Sequence, residues 1–291
     1  MASRASLTAE YMALFRALES LRPPGSRLFL DSDAALFLSG WRKWLYRMAC
    51  LPAGRRLAEA ILDRAAPGAR AAGIARTKWI DDEATDALRA ATQLVLLGAG
   101  FDMRASRLPS AARAGAFELD LPETSRAKQA ILERARPAMP GRVRYAGIDF
   151  SRQSIAEVLR DAGFDASQPA CLIWEGVTNY LTSEAVDGAF GRIREAATGS
   201  TLLFTYIDRA VLDHPERCFG AAKLAARLRS YGEPWTFGFH PGDLRAYLAA
   251  RGFELLKDLS VAEVWQRAGR SGGRTRGYEF YRLASARVGC A

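Results

Sequence analysis

The sequence predicts an α/β protein with a mostly parallel, seven-stranded sheet, helices on both faces, an N-terminal helical cap and a helical insertion after the fifth strand. Three observations carry this expectation. With 291 residues, 49% of them hydrophobic and 25% charged, the chain can bury a sizeable core. Residues 1–90 space their apolar side chains three and four apart, without strand alternation. From residue 92 short apolar runs alternate with helical stretches, the form taken by parallel strands joined by crossover helices.

In order, amphipathic helices are expected at 8–22 and 54–66, punctuated by Pro23-Pro24-Gly25 and Pro67-Gly68. Strands follow at 93–99, 116–121, 143–149, 170–176 and 200–207. Between them lie helices at 122–136, opened by Pro122, at 154–163, and at 183–197, for which Thr182 is the N-cap candidate. Residues 209–240 break the alternation with Pro215, Pro234 and AAKLAARLRSYG, and read as a helical insertion. A helix at 241–253 stopped by Gly252, a strand at 253–261 and a strand at 277–286 complete the chain, the last entered from the basic loop GRSGGRTRG. The expected organisation is a cap over 1–90 and an α/β domain over 91–291 with a lid at 209–240.

Composition excludes several classes. The apolar runs are less than half the length that spans a bilayer, and the N-terminus has neither a continuous apolar stretch nor a cleavage site, so a cytoplasmic protein without a membrane partner is expected. Cys50, Cys171, Cys218 and Cys290 form no CxxC pair and are accompanied by only His214 and His240, so neither a zinc site nor a disulfide framework is expected. The net charge of +9 is distributed as +7, −2 and +4 over 1–80, 81–181 and 182–291, and only five of the 41 basic residues are lysine. Arginines scattered among alanines argue against a nucleic-acid partner. Oligomeric state is not legible.

The chemistry-bearing motifs fall at the carboxyl ends of the expected strands. LGAGFDMRA offers Gly98-Ala99-Gly100 as a tight turn that lets the backbone approach a ligand. Asp120, followed by Leu121, ends the second strand 22 residues after Gly98, where a carboxylate can accept hydrogen bonds from both ribose hydroxyls of a nucleoside. Nicotinamide dehydrogenases and adenosylmethionine-dependent methyltransferases share this combination. The third glycine of a dinucleotide GxGxxG motif is here Met103, which favours the cofactor without phosphates. Asp149 and Phe150 end the third strand and suit an adenine amino group and ring. Glu175 and Gly176 end the fourth, where a buried carboxylate needs a cationic partner, either the ligand's ammonium or sulfonium or an arginine. Tyr180 and Leu181 are expected to pack the next helix, Lys78 to face solvent, and Asp81-Asp82 to open a helix or line the pocket.

ARTKWIDD (75–82), LVLLGAGFDMRASRL, FELDLPETSRAKQ, YAGIDF and EGVTNYL, in this order and spacing, resemble the leucine carboxyl methyltransferase family, especially its bacterial branch of S-adenosylmethionine-dependent methyltransferases. The N-terminal SLTAEYMALFRALESLRPPGSRLFLDSDAALFL resembles that branch too, so the likeness covers about residues 6–208. It implies the Rossmann-like fold of class I methyltransferases and S-adenosyl-L-methionine as cofactor. It also implies Arg76 on the methionyl carboxylate, Gly98 in the first loop, Asp120 on the ribose, Asp149-Phe150 at adenine and Glu175 as the acid after strand four. A planar guanidinium suits the role implied for Arg76, because it can hold a carboxylate bidentately.

The expected reaction is O-methylation of a small-molecule carboxylate, or second a hydroxyl. A carboxylate needs no base, and no compulsory base is evident. Tyr206, Asp208, Trp235 and His240 are the acceptor-site candidates, and Trp235, Phe237 and Phe239 could enclose an apolar acid. The alternatives are a dinucleotide-dependent oxidoreductase and a non-catalytic adenosylmethionine-binding protein. A nucleic-acid methyltransferase is disfavoured because residues 175–181 read EGVTNYL, not an NPPY-type loop.

Overall fold

Every residue of the strand Gln93–Leu97 is buried, as happens in the middle of a sheet covered on both faces. This strand is β1 in the computed structural model, which describes residues 7–137, 142–150, 152–270 and 276–289. Among the described residues four α-helices precede it: α1 (Leu7–Ser20), α2 (Gly40–Ala49), α3 (Gly54–Ala65) and α4 (Ala69–Ala87). After it come α5 (Arg104–Arg107), β2 (Gly115–Asp120), α6 (Pro122–Ala135), β3 (Val143–Gly147), α7 (Ile155–Asp161), β4 (Ala170–Trp174), α8 (Ser183–Ala196) and β5 (Thr201–Ile207). The chain then forms α9 (Ala210–Asp213), α10 (Ala221–Ser230), α11 (Leu244–Ala249), β6 (Phe253–Ser260), α12 (Val261–Arg267) and β7 (Tyr281–Val288).

The seven strands lie in the order β3-β2-β1-β4-β5-β7-β6. The first five are mutually parallel, and β7 runs antiparallel to both neighbours. The chain builds outward from β1 to β3 and then returns to lay β4 on the other side of β1. Ligands of open α/β sheets bind outside the carboxyl ends of the strands at such a reversal.

Side chains alternate between the two faces of the sheet. Leu94, Leu96, Ile173, Leu203 and Leu283 join one buried cluster with Leu14 and Leu18 of α1 and Ile74 and Ile80 of α4. Val95, Leu97, Leu172, Trp174 and Phe204 join the other, with Leu159, Phe190, Ile193 and Leu248 of α7, α8 and α11. Helix α4 itself packs on β4, β5 and β7.

Besides elements that begin or end one or two residues from the expected positions, three departures from the sequence reading stand out. The last strand starts at Tyr281, because its partner β5 ends at Ile207 and the two residues are paired; Tyr278 and Phe280 are buried in the loop before it. Val261 starts a helix, α12, fixed by a capping box in which the Ser260 side chain accepts from the Glu263 N–H and Glu263 reaches back. Helix α11 covers only Leu244–Ala249 of the expected 241–253. The loop GRSGGRTRG lies in part, and Cys290 entirely, outside the described residues.

Phe190 sits at the centre of the second cluster, with edge-on contacts to Trp174, Phe204, Phe239, Tyr247 and Phe253 at ring-centroid distances of 5.4 to 6.4 Å. Phe190→Ala should lower the unfolding free energy by about 3 to 5 kcal/mol in urea titration. A loss below about 1 kcal/mol would contradict this packing.

Candidate functional site

A cavity of about 630 Å³ opens at the carboxyl ends of β1, β2 and β4. Its floor carries Arg76, Gly98, Ala99, Gly100, Asp120, Leu121, Phe150, Glu175 and Gly176, so nine of the ten expected cofactor residues meet on one wall. Asp149 does not line it: its N–H donates to the Gln153 side chain and its carboxylate lies 3.7 Å from Arg152. Gly98 has φ +71°, and a Cβ there would lie 2.7 Å from Val177 Cγ2, which accounts for glycine at the turn. The Asp120 carboxylate accepts from the N–H groups of Gly100 (2.5 Å) and Leu121 (2.7 Å). Burial pushes this carboxyl above its usual range, with those two donors pulling the other way.

Beneath the floor runs a chain of ion pairs. Arg104, 2% exposed, donates to Asp81 of α4 (2.7 Å), to Asp102 in the loop after β1, and to Glu175 at the end of β4. Glu175 pairs in turn with Arg76 (2.5 Å), whose Nη1 donates to the Tyr281 hydroxyl (2.7 Å). On the other side Asp81 receives both Nη atoms of Arg107 at 2.7 Å, and Asp31 lies between Arg107 (3.5 Å) and Arg16 (2.8 Å). Arg16, Arg76, Arg104 and Arg107 thus face Asp31, Asp81, Asp102 and Glu175, four charges of each sign. Burial alone would raise the Glu175 carboxyl, but Arg104 and Arg76 outweigh it and hold it below its usual range; Asp102 is lowered in the same way, chiefly by Arg104. Asp102 also accepts from the Arg104 N–H (2.8 Å), which puts a carboxylate at the start of the helix that follows β1.

The arginine partner considered for Glu175 is therefore present twice. Arg76 Nη2 donates no hydrogen bond among the described residues and stands 3.7 Å from where a Gly176 Cβ would be. Asp81 is neither a helix-start residue nor part of the wall, being engaged with Arg104 and Arg107 inside α4, and Asp82 pairs with Lys78. Sequence reasoning missed Asp102, Arg104 and Tyr281. Tyr180 lines the cavity instead of packing the next helix, and burial raises its phenol to about 12. Only the positions of Asp102 and Arg104, inside the glycine-loop motif, could have drawn attention to them.

The opposite wall comes from α1, α3, α4 and the chain around α10. Met12, Phe15, Leu62, Leu224, Leu228 and Trp235 make it apolar, with Tyr11, Tyr231 and Arg227 among them. Tyr11 and Tyr231 stack, with hydroxyls 3.0 Å apart, and Thr8 donates to Glu233, so α1 and the insertion meet across the cavity. Arg227 makes no hydrogen bond through its guanidinium and no ion pair among the described residues.

Of the acceptor-site candidates only Trp235 lines this cavity. Tyr206 points into the opposite core face, its hydroxyl donating to Asp258 (2.8 Å) and accepting from Arg282 (2.9 Å). Asp208 accepts from the Ala210 N–H at the start of α9, and His240 is exposed. Phe237 and Phe239 also belong to that opposite core, so the three aromatic positions expected to act together, Trp235, Phe237 and Phe239, are divided. The division falls at Thr236, whose N–H donates to Asn179 and whose hydroxyl donates to Leu181, both at 2.8 Å. Among the described residues no cluster of three or more His, Cys, Asp or Glu could hold a metal ion.

The chain's residues 9–194 match the family described as leucine carboxyl methyltransferase. A protein of Mycobacterium avium, named by its expected class as an S-adenosyl-L-methionine-dependent methyltransferase, is 37% identical over 153 residues, 51% of each chain. The matched stretch thus spans about half the length of this relative. One of Streptomyces coelicolor, named in the same way, is 32% identical over 265 residues, 88% of this chain and 86% of its own. Among solved structures, a Thermobifida fusca protein named as a methyltransferase superposes with a TM-score of 0.58 at 20% identity, covering 95% of this chain and 94% of its own, a likeness of fold.

Glu175 and Asp102 ionise more readily in the fold than unfolded, so the stability they add is complete above the ordinary carboxylate range, about pH 4. It is lost as pH falls through their lower folded values. Urea midpoints should therefore drop steeply below about pH 4. Glu175→Gln should flatten that drop and cost about 3 to 5 kcal/mol at pH 7 by leaving two buried guanidiniums short of a carboxylate. A variant with the parent's acid dependence would contradict the network.

Proposed function

Because the chain belongs to the leucine carboxyl methyltransferase family, we propose that it is an S-adenosylmethionine-dependent O-methyltransferase whose acceptor is a small-molecule carboxylate, with a hydroxyl second. The observation that carries this reading is one cavity shared by two unlike walls, a floor of glycine turns and charged groups and an apolar roof from α1, α3 and α10.

The donor set fits the cofactor. Asp120 keeps lone pairs for ribose hydroxyls beyond its two backbone donors. Arg76 and Glu175 stand together as a cation and an anion for the zwitterionic methionyl end, and Phe150 offers a ring face for adenine. A dinucleotide fits poorly: its pyrophosphate belongs at the start of the helix after the first strand, where this chain holds Asp102 and where Met103 is buried.

When bound, the cofactor supplies an electrophilic methyl group on a sulfonium. The protein's part is alignment and exclusion of water. The wall's acids and Tyr180 are otherwise engaged: Tyr180 is pushed up to about 12, Glu175 and Asp102 are paired with arginine, Glu233 accepts from Thr8, and Asp120 is held by backbone donors. This favours an acceptor that arrives ionised. Arg227 is the wall cation left without an acidic partner among the described residues, and it suits the acceptor's carboxylate, while Trp235, Met12 and Phe15 suit an apolar body.

Asp120→Ala should weaken adenosylmethionine binding by about 1.5 to 3 kcal/mol, or ten- to a hundredfold. Arg76→Lys should weaken adenosylmethionine and adenosylhomocysteine together, since both carry the methionyl carboxylate. Arg227→Ala should leave both affinities unchanged and raise the acceptor's apparent KM, read by methyl release over a library of acids and phenols. Unchanged cofactor affinity in a folded Asp120→Ala protein, or acceptance of phenols only, would contradict the reading.

A further inference from the structure

Five of the eight large hydrophobic side chains that stand exposed among the described residues fall within 21 residues of one another: Trp41 (48%), Trp44 (63%), Leu51 (63%), Leu57 (55%) and Ile61 (42%). They belong to α2, α3 and the short turn between them. The two helices pack on each other and bury Leu45, Ala49, Ala58 and Leu62 in the core. The apolar stripe of each helix is thus wider than the core covers, and the excess lies outside.

The unpaired charges on this hairpin have one sign among the described residues. Lys43, Arg47, Arg56 and Arg64 are exposed and make no ion pair among the described residues. The hairpin's two acids are neutralised, Glu59 by Arg22 and Arg55 and Asp63 by Arg70. We propose that the outer face of α2 and α3 docks on an anionic lipid surface. Indole rings settle at headgroup level, aliphatic side chains enter the acyl boundary, and arginine and lysine meet the phosphates, none of which requires a complementary shape. A second copy of the chain is the poorer occupant, because a symmetric contact would bring the same four cations face to face.

The mode is peripheral. Among the described residues no helix is long and apolar enough to cross a membrane, and α2 and α3 have 10 and 12 residues. The expectation of no membrane partner rested on the lack of a spanning segment, which surface docking does not need. Trp41 stands edge-on to Tyr11, and Leu62 of α3 lines the cavity, so the docking face and the cavity share the wall built by α1 and α3. The proposal does not depend on the chemistry performed in that cavity.

Co-sedimentation of the full chain with vesicles of phosphatidylcholine and phosphatidylglycerol, against phosphatidylcholine alone, tests it. Binding should favour the anionic vesicles, fall with added salt, and weaken about fivefold for each cation removed by Arg47→Ser and Arg56→Ser. Leu57→Ser with Ile61→Ser should abolish binding; both residues are exposed, so an unchanged thermal midpoint shows that the fold persists. Equal partition into both vesicle types, or none, would overturn the proposal. So would self-association, read by sedimentation velocity, that the Leu57→Ser and Ile61→Ser pair abolishes, because the face would then belong to a second copy.

Discussion

The arrangement of this molecule depends on a single guanidinium. Arg104 is buried, and a buried charge is tolerated only where opposite charges and hydrogen bonds surround it. Its three carboxylate partners come from three separate elements: Asp81 from α4, Asp102 from the loop after β1, and Glu175 from the end of β4. Satisfying Arg104 therefore holds the helical segment, the glycine loop and the point where the strand order reverses in one register. Replacing such a group by apolar side chains can leave a protein as stable, whereas removing one partner alone is costly. The network's service is to geometry: Glu175, oriented by Arg104, positions Arg76 on the cavity floor.

The same arrangement separates two uses of one fold. Many doubly wound proteins keep the amino end of the first crossover helix open for phosphate. Here that helix has four residues, begins beside the buried Met103, and receives the Asp102 carboxylate. Helix α1 lies against the loop before it, with Arg16 donating to the Phe101 carbonyl, and meets the chain around α10 through Tyr11 with Tyr231 and Thr8 with Glu233. A charged floor and a largely apolar roof share one cavity because chain segments more than 200 residues apart meet there.

Much of the sheet was legible because β1 and β4 are unbroken apolar runs and because Gly98, Asp120 and Glu175 occur where strands stop. Eight of the nine expected cofactor residues that line the cavity do so for the same reason: strand ends in a parallel sheet lie side by side, so local motifs become neighbours. Arg76 is different. Nothing in its local sequence separates it from the other arginines, and it was found through a family resemblance. The ion-pair network was not legible, because residues 31, 81, 104 and 175 are joined only by tertiary folding. The aromatic positions of the insertion read as one group in the sequence, but extended chain can cross a rim within two residues, and Thr236, bonded to Asn179 and Leu181, is where it does so. Helix α12 was available in principle from Ser260 and Glu263, a capping box three residues apart.

The central claim is that this floor accepts a nucleoside bearing a zwitterionic amino acid and rejects one bearing a pyrophosphate. Parallel calorimetric titrations of the purified chain with adenosylmethionine and with NAD test it most directly. The account predicts saturable binding of adenosylmethionine at one site per chain and no measurable heat with NAD. Saturable binding of NAD, or silence with adenosylmethionine in a folded protein, would contradict it.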